Sequence, residues 1–136
     1  LFFISEIIFP STDSKFSLPF DITYLNTSDS VSIKLTAPSH ALTTVDSVAL
    51  VLEDSRYVCP VVKSIYKEKE KKHWIHRCDC AFAYEAVQRC FVQPTAPQIV
   101  VYTPVAEQHY QLSEKKWQAL HQHLVEIFML IDASKR

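Results

Sequence analysis

The chain has 136 residues, 48% of them hydrophobic and 12% aromatic, and a formal charge of −1. That is one ordinary domain with material for a full core; it excludes a disordered tail and argues against a dedicated, strongly basic DNA-binding surface. There is no glycine, where average usage supplies roughly nine, so the Walker phosphate loop, the dinucleotide fingerprint, the kinase glycine loop and the G-x-S-x-G elbow are all absent.

Leu1–Phe9 is apolar and β-branched and reads as the first strand. It lacks the basic start and small-residue cleavage site of a signal peptide and carries Glu6. A start at Leu1 rather than Met points to a piece of a longer protein. Phe16–Leu25 contains the alternating set Phe20, Ile22, Tyr24. Val31–Leu35 sets Val31, Ile33 and Leu35 against Ser32 and Lys34, the half-buried strand pattern. Val48–Leu52 is a short apolar run, and Tyr57–Tyr66 reads as one further strand with Pro60 marking an edge or bulge. Trp74–Tyr84 places Trp74, His76, Cys78, Cys80, Phe82 and Tyr84 on one face. Ala81–Phe91 fits strand or helix, because Ala83, Val87 and Cys90 also follow helical spacing. Ile99–Tyr102 is a strand set off by Pro97 and Pro104.

Ser113–Ala133 is the clear helix. Ser113 suits the N-cap and Glu114 the first turn. Trp117, Leu120, Leu124, Ile127 and Ile131 form its core stripe. Val125, Phe128, Met129 and Leu130 lie off that stripe, so either the last turns are buried deeply or they carry a partner surface, and these four are the expected partner-binding residues. No apolar run is long enough to span a bilayer. Without glycine, turns must come from Pro, Ser, Asp and Asn, as in Pro10–Asp13, Asn26–Asp29 and Asp54-Ser55. Tight two-residue primed hairpins are not expected, and somewhat longer loops are.

His73, His76, Cys78 and Cys80 resemble zinc ligands by type. Zinc needs four converging donors, and on one strand Cys78 and Cys80 stand about 6.6 Å apart while His73 and His76 face opposite ways. The sequence therefore favours a buried strand face with cysteine as core filler; no metal and no cofactor is expected. Nothing local marks Cys59, Cys78, Cys80 or Cys90 as an activated nucleophile. Whether the four are free or paired stays open, and a disulfide is not required at this size. Asn26-Thr27-Ser28 is a formal glycosylation acceptor, set against an intracellular (nuclear or cytoplasmic) expectation. Lys67-Glu68-Lys69-Glu70-Lys71-Lys72 reads as a solvated hairpin loop; its functional alternative is a phosphate or acidic-partner contact through Lys67, Lys69, Lys71 and Lys72, with Lys63. His40, His109, His121 and His123 have no metal-pair spacing, and the scattered acids form no pair for acid–base work.

Ile99–Pro104, His109–Leu112 and then Ser113–Leu120 with Trp117 read as strand, turn, strand and capped helix. This ending resembles that of a pleckstrin-homology-like domain, whose helix plugs one end of a barrel with a Trp. The resemblance implies an α+β fold: a mostly antiparallel barrel or sandwich of about seven strands with one long C-terminal helix. It makes residues 1–136 one domain. The basic cluster of the lipid-binding members has no match in the first hairpin, so the resemblance implies protein binding. The expected function is a non-catalytic protein-interaction module that takes another protein or one of its helices, with self-association open. The alternative is a nucleic-acid-binding module of OB-like form.

Overall fold

The computed structural model describes residues 2–25 and 28–135. Leu1 of the expected first strand, and Asn26 and Thr27 of the glycosylation acceptor, lie outside the described residues. Nine strands and two helices are present among the described residues. In order they are β1 (Phe2–Pro10), β2 (Ser17–Tyr24), β3 (Ser30–Ser39), β4 (Ser47–Val51), β5 (Arg56–Cys59), β6 (Lys63–Glu70), β7 (His73–Ala83), α1 (Tyr84–Phe91), β8 (Gln98–Tyr102), β9 (Glu107–Tyr110) and α2 (Glu114–Ser134). The fold is α+β. All ladders are antiparallel, in a five-stranded sheet ordered β1-β2-β3-β7-β6 and a four-stranded sheet ordered β5-β4-β8-β9.

Alternation sets the buried face of the larger sheet. Leu18, Phe20, Ile22 and Tyr24 on β2, Val31, Ile33, Leu35 and Ala37 on β3, and His76, Cys78, Cys80 and Phe82 on β7 all point inward and are buried. The outer face is polar and ordered by charge. Asp21, Lys34, Asp79 and Lys63 stand directly opposite one another in a row across β2, β3, β7 and β6, with signs alternating. A slip of one residue would drive this row into the core, so pattern and charge fix the same register. Beside it, the Arg77 guanidinium donates to Asp21 Oδ2 at 2.7 Å and to Thr36 Oγ1 at 3.1 Å.

The two sheets meet at one corner. Gln111 N–H donates to the Pro10 carbonyl, Thr12 N–H to the His109 carbonyl, and Ser11 bridges Tyr110. On the opposite side β5 lies beside β7 without a ladder. Of the expected barrel or sandwich of about seven strands, the closed barrel is corrected: the nine strands among the described residues form two sheets joined at one corner. The expected single strand Tyr57–Tyr66 is likewise two strands in different sheets. Pro60 has no N–H to give a ladder, and the chain leaves the small sheet there for the edge of the large one.

Ala81–Phe91 resolves as the end of β7 followed by α1, which buries Tyr84, Ala86, Val87, Cys90 and Phe91. Trp117 sits fully buried near the start of α2, with Phe9 and Phe91 at ring-centroid distances of 6.4 and 6.3 Å. Its indole N–H donates to the Gln93 carbonyl at 3.0 Å, so the ring is buried without stranding its donor. Ser113 caps the helix as expected, its hydroxyl accepting from Lys116 N–H.

Among the described residues no φ is positive, the conformational signature of a chain without glycine. Both helices end on residues in the right-handed region, Val92 and Lys135, rather than on a left-handed cap. One hairpin corrects the expectation of longer loops: Glu70 pairs with His73, leaving only Lys71 and Lys72 to turn. Both have negative φ, so the loop is tight yet outside the primed class that needs positive φ.

Candidate functional site

Helix α2 divides the expected partner residues. Phe128 was expected on the exposed side, and this is corrected: it is 1% exposed, with its ring centroid 6.0 Å from that of Tyr84. The buried set is Trp117, Leu124, Phe128 and Ile131, while Leu120 and Ile127 are half-buried. The helix is thus rolled toward α1 relative to the stripe drawn through Leu120 and Ile127. Asp132 fixes that roll. Its carboxylate accepts from the Tyr84 hydroxyl at 2.8 Å and from Gln88 Nε2 at 2.6 Å. Lys135 Nζ closes the arrangement 4.1 Å from the centroid of the Tyr84 ring.

The same roll turns Met129 and Leu130 to solvent, 65% and 63% exposed, with Val125 half-buried at their margin. Between Gln118 and Ser134 the only charged residue on the exposed side is Glu126. A helix face so poor in charge, with two large aliphatic side chains side by side, has the composition of an interface centre.

The lysine segment is solvated throughout and turns at Lys71 and Lys72, but only those two residues form the loop that the sequence suggests for the whole run. Lys67–Glu70 belong to β6, an edge strand exposed along its whole length. Strand periodicity sorts the run by sign. Lys67 and Lys69 stand opposite His76 and Trp74 on the inner face, and Glu68 and Glu70 stand opposite Ile75 and His73 on the outer. Lys67 Nζ donates to Thr44 Oγ1 at 2.7 Å. Among the described residues no salt bridge holds Lys67, Lys69, Lys71 or Lys72. A lysine-studded edge also discourages pairing with other strands.

The His/Cys segment is taken apart by the fold. His73 lies against Phe16, ring centroids 5.4 Å apart. His76 is buried and hydrogen-bonded at both nitrogens: Val45 N–H donates to Nδ1 at 3.2 Å, and Nε2 is 2.8 Å from Ser64 Oγ. Because Nδ1 accepts from an amide, the ring proton resides on Nε2 and is donated to the serine. The Ser64–His76 pair therefore has the geometry of a nucleophile–base dyad with the wrong tautomer for one. Burial, and then the Lys67 charge, hold the His76 pKa below its ordinary value, so the neutral ring is favoured. Burial pushes the Cys78 and Cys90 thiols up to about 12 and Cys80 higher still. All four cysteines are free thiols. Among the described residues no group of three or more His, Cys, Asp or Glu side chains could hold a metal ion.

A cleft of about 530 Å³ lies between the β4–β5 turn, the end of α1, the segment leading into β8, and Gln111 just after β9. No sequence pattern marks it, because its lining comes from four separate stretches. Part of its polar lining is engaged: Arg89 donates to Asp54, Gln111 to the Ala96 carbonyl, and Gln98 is bonded to His109 outside the cleft. It contains no thiol, histidine or hydroxyl–base pair to react with a ligand.

No protein-family model, curated protein or solved structure matches the chain. No helix among the described residues is long and apolar enough to cross a membrane.

Proposed function

We propose that this chain is a non-catalytic protein-interaction module whose partner lies along the outer face of α2. The observation that carries this reading is the pair Met129 and Leu130, exposed side by side on a face whose single charge is Glu126. The occupant is an amphipathic helix of another protein. A helix face offers no free backbone donors or acceptors to a strand, whereas its side-chain ridges fit the grooves of a second helix. Burying a Met and a Leu contributes roughly 3–6 kcal/mol before the costs of association, enough for an anchor when the rim adds polar contacts. The α2 ending, two strands followed by a helix with a buried Trp, supports a pleckstrin-homology-like assignment; the five- and four-stranded sheets and α1 exceed what that architecture asks. Four free thiols suit a reducing, intracellular setting.

The test compares wild type with a Met129→Asp/Leu130→Asp variant in affinity capture from a cell extract, with circular dichroism to show both folded. Support requires a protein retained only by wild type, cross-linked to residues 125–130 through an amphipathic helix of its own. Capture that is unchanged by the variant overturns the reading.

One observation favours a second reading, binding of a single-stranded nucleic acid. Lys67 and Lys69 share a face with the half-buried Trp74, which combines phosphate contacts with a stacking platform. It requires binding of oligo-dT that falls steeply with added salt; no binding at low salt disposes of it.

A further inference from the structure

We propose that β1 is a self-pairing edge, through which two copies of this chain join their five-stranded sheets into one of ten strands. The four edges of the two sheets differ. β5 lies beside β7, and β9 meets the segment after β1 at the corner. β6 carries five charges in eight residues, a pattern that keeps an edge from pairing. β1 carries one charge, Glu6, in nine residues and has no proline before its last position. Among the described residues it ladders only with β2. Its far side presents the unpaired backbone donors and acceptors of a sheet edge. Phe3 and Ile8 stand beside them on the outer face, 61% and 49% exposed.

The order of residues in the strand selects the occupant. Phe2-Phe3-Ile4-Ser5-Glu6-Ile7-Ile8-Phe9 runs apolar, polar, apolar, and the pattern is the same in either direction. Ile4 opposes Ile22 and Ile7 opposes Phe20, so Ser5 and Glu6 together face Asp21 in a bulge, and both isoleucines are buried. A two-fold axis through the bulge sets Phe3 opposite Ile8 of the second copy, and Ile4 opposite Ile7 of the second copy. Residues opposite one another in an antiparallel ladder share a face. Both pairs meet that condition, the first being exposed and the second buried. The same axis sets Ser5 opposite Glu6 of the second copy, so each carboxylate meets a hydroxyl donor rather than a like charge. The contact is isologous and it closes. The ten-stranded sheet ends on β6 at both sides, where the lysines oppose further growth. Eight residues per copy make a small interface, below about 1,200 Å² in total, so the dimer is reversible and depends on concentration.

The experiment is sedimentation velocity of the full chain from roughly 1 to 500 µM, a range that brackets a micromolar dissociation constant. Hydrogen–deuterium exchange is read at both ends of that range. The expected result is a shift from monomer to dimer, with slower exchange in residues 2–10 at high concentration. Ile8→Lys, on the exposed face, should weaken association roughly tenfold, since two Ile8–Phe3 contacts are lost per dimer. Phe3→Lys should do the same. The double variant Phe3→Lys/Ile8→Glu should recover the dimer, because this register sets the two new charges opposite each other across the interface. A chain that stays monomeric throughout, or a dimer that Ile8→Lys leaves unchanged, overturns the proposal. So does a dimer that Met129→Asp/Leu130→Asp dissolves and Ile8→Lys does not, since its contact lies on α2. Exchange in wild type decides the matter even where a variant fails to fold: equal rates in residues 2–10 at both concentrations overturn it.

Discussion

The outer face of α2 and the edge strand β6 are both exposed, periodic surfaces, yet opposite in character. On α2 Met129 and Leu130, consecutive residues about 100° apart, are both exposed on a side whose one charge is Glu126. On β6 a period of two sends the lysines to one face and the glutamates to the other. One surface is apolar because packing against Tyr84 used up Phe128 and left its neighbours outside. The other is charged because an edge strand has nothing to cover it. Exposure alone therefore does not mark a binding surface; what matters is whether the exposed residues are of the kind a partner gains by burying.

The contrast breaks most sharply within α2 itself. Phe128→Ala should lose about 3–5 kcal/mol of stability in urea denaturation, whereas Met129→Ala should stay within about 0.5 kcal/mol. Similar losses at both positions would mean that Met129 is packed rather than displayed. Next in size is the clamp that sets the helix roll. Asp132→Ala removes the acceptor of the Gln88 amide, leaves the Tyr84 hydroxyl only the Phe128 carbonyl at 3.5 Å, and should cost about 1–3 kcal/mol. Asp132→Asn, which keeps an acceptor, should recover part of this. Equal melting temperatures for the alanine variant and wild type would remove Asp132 from the account.

On the β6 side, the inner face carries a pH dependence. The His76 pKa is lowered, by burial first and Lys67 second. As pH falls the unfolded chain takes the proton before the folded one does. The stability from His76 is therefore complete above about pH 6.5 and declines below it, by no more than about 1.4 kcal/mol per pH unit. Protonation also sets an Nδ1–H against the Val45 amide. Melting curves between pH 7.5 and 5.5 should fall for wild type and fall less for His76→Gln; equal slopes would show that another group titrates. The smallest effect belongs to the exposed lysines. Lys69→Glu should change stability by no more than about 0.5 kcal/mol, and it should abolish binding of oligo-dT if the second functional reading holds.

Much of the element order was legible because it rests on local pattern. The alternation in β2, β3 and β7 and the cap and stripe of α2 each encode period and exposure in adjacent residues. The lysine run turns at Lys71 and Lys72, but Lys67–Glu70 pair as a strand; alternating charge serves a loop and an edge strand equally well, and only a partner strand distinguishes them. Phe128 was misplaced for a related reason. Leu120, Leu124, Ile127, Phe128 and Ile131 define an apolar arc wider than one packing stripe, so its centre depends on what α1 and Asp132 do. The cleft had no local signal, since it joins segments distant in sequence.

By itself, the sequence determined the backbone vocabulary of this protein. A chain without glycine keeps φ negative throughout the described residues, ends its helices without left-handed caps, and turns its tightest hairpin outside the primed class. Those are single-residue steric consequences, and they need no neighbours. Only the tertiary structure decided that Pro60 separates two sheets, that the two sheets stay unpaired at the β5–β7 side, and which face of α2 meets solvent. Those outcomes depend on contacts between residues far apart in the chain, where burial, pairing and charge compete and local pattern does not choose among them.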